Sequence, residues 1–222
     1  MSKYYIEKIT CPNCSNEFEF KIWESVNTML DPEMKSKVKS GEIFEYICSN
    51  CGYTSIVDYP TLYHQMEDKV MIYYAPGENS EVVELIKGSG NRIDLENELT
   101  KDYKNRVVST INELKEKIFI LDEDLDDRVI EIMKFYLYNH VIKENPDFEI
   151  EEILLGKLED GGRVFYINFG NNKWGRMDFN QEIYHTVEAN FRKLLENDKE
   201  VVIDINWAIE LIRKFVKWHR FF

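Results

Sequence analysis

The sequence predicts an α+β protein: a ribbon-like β-hairpin module with helical insertions, followed by a C-terminal α+β module. Three observations predict it. Two Cys-x-x-Cys pairs, in TCPNCSNEF at 10–18 and YICSNCGYT at 46–54, are each flanked by segments in which apolar and polar residues alternate. From about 109 to 145, apolar residues recur at three- and four-residue spacing. After Asn145-Pro146 the pattern returns to short alternating segments around Asp160-Gly161-Gly162, and then to helical spacing once more.

The first element is a hairpin. YYIEKI precedes the first cysteine pair, and beyond it Phe18, Phe20 and Ile22 alternate with Glu19 and Lys21. The second pair repeats the arrangement, with EIFEYI before and YTSIVDY after. Two thiolates at i and i+3 on a tight turn take two corners of a metal tetrahedron, and two such turns close it. Cys11, Cys14, Cys48 and Cys51 are therefore expected to hold one structural zinc ion, which makes the module zinc-ribbon-like. These are all the cysteines in the chain, and a closed four-sulfur site has no open position for catalysis. A redox dithiol at CPNC is the competing reading; it requires the first cysteine at a helix N-terminus, whereas a strand pattern follows here. Gly52 suits a turn of positive φ; the first pair carries Ser15 in its place, with Asn13 and Asn16 as tolerant neighbours.

Between the pairs, ESVNTMLDPEMKSKVKSGEIF reads as a short helix. Asp31 is the expected cap, Pro32 the first position, and Gly41 the end. Met34 and Val38 face one way. Lys35, Lys37 and Lys39 complement the helix dipole. Residues 1–60 hold six lysines against nine carboxylates, so the region presents no net basic surface for phosphate.

The pattern CPNC, then VNTMLDPEMKSKVKSGEIFEYICSNCG, then LYHQMEDKVMIYYAP, resembles the CpXC family, named for its Cys-Pro-x-Cys motifs. RVVSTINELKEKIFILDEDLDDRVIEIMK extends the likeness, so that it covers roughly residues 3–134. One departure is Ser49, where the family has proline; that position stiffens a turn and ligates nothing. The resemblance implies a zinc-ribbon-like domain and no particular activity.

TLYH and KVMIYYAP around QMED read as a second hairpin closed by Pro76, with His64 in a structural or surface role. Ser109 or Thr110 is the expected cap of the helix STINELKEKIFIL. In the next helix, Val129, Ile132, Met133, Tyr136, Leu137, His140 and Val141 form one face, ended by Pro146. The carboxylates of the 122–127 segment (Asp122, Glu123, Asp124, Asp126, Asp127) lack EF-hand spacing and read as complement to a helix start, with Arg128 as a partner. GSGN at 88–91 lacks the spacing of a nucleotide fingerprint.

In the last module, FEIEEILLGKLEDGGRVFYINFG is a hairpin and KWGRMDF a third strand. QEIYHTVEANFRKLLEN is an amphipathic helix and EVVIDI a strand, and Asn206 is the expected cap of WAIELIRKFVKWHRFF. That helix is apolar around much of its circumference. With Trp218, Phe221 and Phe222 it offers a surface for the chain's own sheet, a protein partner or a homo-oligomer.

The domain organisation read from these patterns is 1–80 for the zinc-ribbon-like domain, 81–145 for a mainly helical segment completing the N-terminal unit, and 146–222 for the C-terminal α+β module. A formal net charge of −13 opposes nucleic acid and anionic membranes as partners. No apolar run is long enough to cross a membrane, MSKYYIEKIT has no signal-peptide core, and a cytoplasmic, reducing location is expected. No phosphate loop, G-x-S-x-G or H-E-x-x-H motif occurs. The functional expectation is a non-catalytic protein–protein interaction scaffold. An enzyme whose site is assembled from distant residues, for instance around His64 and 122–127, and a nucleic-acid-associated ribbon are the alternatives.

Overall fold

Strand alternation builds the first half of the chain. In the computed structural model, which describes residues 2–77, 80–86 and 102–219, β1 (Lys3–Thr10) pairs antiparallel with β2 (Glu17–Asn27), Glu7 opposite Phe20 and Ile9 opposite Phe18. A bulge on β2 skips Glu24 between the Lys3–Ser25 and Tyr4–Trp23 pairs. Helix α1 (Glu33–Ser40) buries Met34 and Val38, and a 3-10 turn (Glu42–Phe44) leads into β3 (Glu45–Ile47), which pairs antiparallel with β4 (Thr54–Ile56). The hairpin β5 (Thr61–Gln65) and β6 (Val70–Tyr74) follows, then α2 (Ser80–Ile86) and β7 (Lys104–Val108). Strands β2 and β5 run parallel, as do β6 and β7, giving a sheet of order β1-β2-β5-β6-β7.

Gly41 ends α1 as expected, at φ +86°, its N–H donating to the carbonyls of Lys37 and Val38. Asp31 does not cap it. Its carboxylate accepts instead from the Ser2 backbone N–H at 2.8 Å, while its carbonyl takes the Met34 N–H at 3.0 Å. The side chain thus serves a donor at the start of β1. Strand β7 had no counterpart in the sequence reading. GSGN at 88–91 lies outside the described residues.

The second half alternates helices with a meander. Helix α3 (Ile111–Asp122) starts with the reciprocal Thr110–Glu113 capping box. Asp126 caps α4 (Asp127–Glu144), its carboxylate accepting from the Arg128 N–H at 2.9 Å. Strands β8 (Glu152–Lys157), β9 (Arg163–Asn168) and β10 (Trp174–Asp178) form an antiparallel sheet of order β10-β9-β8. Helix α5 (Gln181–Leu195), capped by Asn180, and α6 (Ile205–His219) complete the chain.

Two expectations are corrected here. EVVIDI is not a strand: Val201 and Ile203 are buried, but the Ile203 carbonyl accepts from the Lys117 ammonium at 2.8 Å rather than from a neighbouring strand. Alternating burial arises from an irregular segment covering the core. The cap of α6 is Asp204, whose carboxylate accepts from the Trp207 N–H at 2.8 Å, and Asn206 lies within the helix. Helix α6 is also more one-sided than its composition suggests. Trp207, Ala208, Leu211 and Ile212 are buried, and Arg213, Lys214 and Lys217 are exposed. Phe221, Phe222 and the Trp218 side chain lie outside the described residues.

The chain divides into two units, Met1–Lys115 and Glu116–Phe222, the division falling within α3. The core of the second unit joins Ile120, Val129, Ile132 and Leu137 to Leu155, Phe165, Phe191 and Leu211. A chain of charges lies buried within that unit. Lys134 holds the Glu116 carboxylate at 2.5 Å and that of Glu131 at 2.9 Å, while Lys117 lies 3.5 Å from Glu131 and 3.4 Å from Asp127.

Candidate metal centre

Each cysteine pair sits at the end of a hairpin, and the two turns share their hydrogen bonding. In the first, the Cys11 N–H donates to the Asn16 carbonyl at 2.9 Å and the Ser15 N–H to the Cys11 carbonyl at 2.9 Å. In the second, the Cys48 N–H donates to the Tyr53 carbonyl and the Gly52 N–H to the Cys48 carbonyl, each at 2.8 Å. Gly52 has φ +72°, and Ser15 takes the same left-handed conformation at φ +58°. The serine therefore does the glycine's geometric work.

The four sulfurs lie within 4.8 Å of one another and can hold a metal ion. Cys11 and Cys51 are 3.7 Å apart, Cys14 and Cys48 3.6 Å, so each close pair joins one turn to the other. Cys11 and Cys48 are buried, and Cys51 is exposed. Asn13 in the first turn donates its side-chain amide to Cys51 at 3.5 Å, and Asn50 in the second donates to Cys14 at 3.4 Å. This reciprocal crossing partly neutralises thiolate charge, as outer hydrogen bonds at metal sites do. In sequence Asn13 reads only as a turn-tolerant residue; an asparagine directly before the second cysteine of each pair, Asn13 and Asn50, is the signal that points to this role.

Tyr46 backs the site. It is buried, stacks on Phe18 with centroids 3.7 Å apart, and packs with Cys11 and Cys48. Its hydroxyl has no partner in hydrogen-bond geometry and lies beside the Cys48 and Cys11 sulfurs. Burial, then those sulfurs, push the Tyr46 hydroxyl well above the usual phenol range. Conversely, the Tyr46 hydroxyl, working against burial and aided by the amides of Cys51 and Asn50, lowers the Cys48 thiol to about 6. In Cys11, burial opposes but the Tyr46 hydroxyl and the Cys14 and Asn13 amides prevail, and the thiol is lowered. The Asn13 and Tyr53 amides favour the Cys51 thiolate, yet burial and the Cys14 and Cys48 sulfurs raise that thiol. A buried phenol beside the Cys11 and Cys48 sulfurs suits a set of thiolates neutralised by a cation.

Neither side candidate joins this group. His64 sits in β5, its Nδ1 3.5 Å from the Asn27 amide and its ring 5.4 Å from that of Tyr103; burial lowers its pKa. In 122–127, Asp126 binds the Arg128 guanidinium at 2.7 Å, Asp127 faces Lys117, and Glu123 binds Lys157 at 2.8 Å. Among the described residues, the four cysteines are the one cluster of metal-ligating type, and no helix is long and apolar enough to cross a membrane.

A family model described as CpXC protein matches residues 9–134, which include all four cysteines. Neither the curated proteins nor the solved structures yield a match.

Proposed function

This chain belongs to the CpXC family, and on that premise we propose that it is a protein–protein interaction scaffold stabilised by one structural zinc ion on Cys11, Cys14, Cys48 and Cys51. The observation that carries the metal reading is the sulfur spacing. Zinc–sulfur bonds of about 2.3 Å in a tetrahedron require sulfurs about 3.8 Å apart. The close pairs stand at 3.7 and 3.6 Å. Four soft donors select zinc over hard cations such as calcium or magnesium. Zinc bound there supplies a cross-link between two turns that carry little core of their own; the chain's residues supply the amides and the Tyr46 wall that hold the thiolates in place.

Scaffold function is supported by the exposed apolar residues on the same ribbon, among them Ile47, Tyr53 and Ile56, and by a ligand set with no open position. Free thiols in this arrangement suit a reducing, cytoplasmic location. For the domain organisation, we propose residues 1–80 as the part whose folding depends on the metal. Elemental analysis of the purified chain is expected to give one zinc per molecule. A metal-free protein with Cys11–Cys14 and Cys48–Cys51 disulfides would overturn the reading.

A further inference from the structure

Strand β1 is the outer strand of its sheet, with β2 as its one strand neighbour among the described residues. Seven of its eight residues are exposed, including Tyr4, Tyr5 and Ile6, each about half accessible (49%, 48% and 50%). An outer strand of this length leaves a row of unpaired backbone N–H and C=O groups, the usual template for adding another strand. The bulge lies on β2, so β1 keeps its regular alternation. We propose that β1 pairs antiparallel with β1 of a second copy of this chain, with the two-fold axis at Tyr5.

The register follows from strand geometry and charge. In an antiparallel pair, residues directly opposite each other either both turn their backbone groups toward the partner or both turn them away. For a strand pairing with its own copy, opposite residues must therefore sit an even number of positions apart. With Tyr5 on the axis, Tyr5 faces Tyr5, Tyr4 faces Ile6, and Lys3 faces Glu7 at both ends. Shifting the axis to Tyr4 sets Lys3 against Tyr5, and shifting it to Ile6 sets Glu7 against Tyr5 and Lys8 against Tyr4. One register joins opposite charges across the pair and gathers the apolar residues between them. Lys3 lies 2.8 Å from Glu24 of its own chain, but both groups are well exposed, leaving the ammonium free to reach the copy's Glu7 as well. The product is one continuous sheet from two five-stranded ones.

This deepens the scaffold reading by giving it a partner, and it rests on that reading for its use but not on the metal. The test employs the full chain with its metal content measured in every sample. Sedimentation velocity over a concentration series is expected to show a monomer–dimer equilibrium. Glu7→Lys, which opposes lysines at both ends, is expected to weaken it on the order of tenfold or more. The exchange Lys3→Glu/Glu7→Lys restores opposite charges and is expected to recover most of the loss. Register is read separately: Tyr5→Cys is expected to cross-link two chains under mild oxidation, and Tyr4→Cys to resist it. A wild-type monomer throughout the series, a dimer indifferent to Glu7→Lys, or equal cross-linking at positions 4 and 5 would overturn the pairing. Full zinc content in such a sample would leave the metal reading standing.

Discussion

Ser15 and Gly52 hold equivalent places in the two turns, and both are left-handed, at φ +58° and +72°. A side chain in that conformation costs about 1–2 kcal/mol, partly offset in glycine by the entropy it loses on folding. Ser15→Gly is therefore expected to stabilise the protein by about 0.5–1 kcal/mol. Gly52→Ala is expected to destabilise it by a similar amount, because nothing lies within 4 Å of the added Cβ and the cost is conformational alone. Thermal unfolding of the metal-loaded protein measures both; a stability unchanged in each case would mean these turns tolerate any backbone. At this scale the four cysteines were legible because i, i+3 spacing on two hairpins has few other uses. Tyr46, Asn13 and Asn50 were not, because an aromatic in a strand and an asparagine in a turn each have ordinary explanations that only geometry displaces.

Helices α3 and α4 show what periodicity conveys and what it omits. Their apolar spacing located them, as alternation located β1 to β6 and the β8-β9-β10 meander. The charged residues Glu116, Lys117, Glu131 and Lys134 have no place in that apolar spacing, yet all four are buried, each with a partner that no one-dimensional pattern displays. The same blindness produced the strand expected at 200–205, where a lysine side chain replaces a strand neighbour. In the buried group, burial drives the Glu116 carboxyl upward, and Glu116 and Glu131 overcome burial to hold Lys134 protonated. Removing one partner from such a group leaves uncompensated charge, at about 3–5 kcal/mol. Lys134→Met is expected to destabilise the second unit by that amount in denaturant unfolding. Replacing Glu116 and Glu131 by leucine in the same chain is expected to return most of it. A small effect of Lys134→Met alone would mean that water reaches the cluster.

At the scale of the molecule, both units bury apolar residues, among them Val26, Phe44, Tyr63 and Ile72 in the first, but the cysteine turns form a small cluster of their own. The second has a core of its own, from Ile120 to Ile212, with no member among the described residues of 1–115. The turns of the first meet around a small cluster of Cys11, Tyr46 and Cys48 with partly buried neighbours, too little apolar area to hold two hairpin ends together. Structural zinc in comparable small sites contributes on the order of 10 kcal/mol of apparent binding free energy, all of it counted toward folding. Cys48→Ser removes one of the four proposed ligands, a thiol lowered to about 6 that lies 3.6 Å from the Cys14 sulfur. Its loss is expected to release the metal and expose the amides of β1 to β4 to rapid exchange with solvent. The amides of α4, α5 and β9 are expected to keep their protection, since among the described residues the core they rest on lies beyond residue 115. Chelation of the wild-type protein should reproduce the pattern without a substitution, separating loss of the ion from damage by the serine. Hydrogen exchange resolved along the chain decides the matter. Loss of protection spread evenly over both units would show a single cooperative structure, in which the metal stabilises the whole chain rather than its first part.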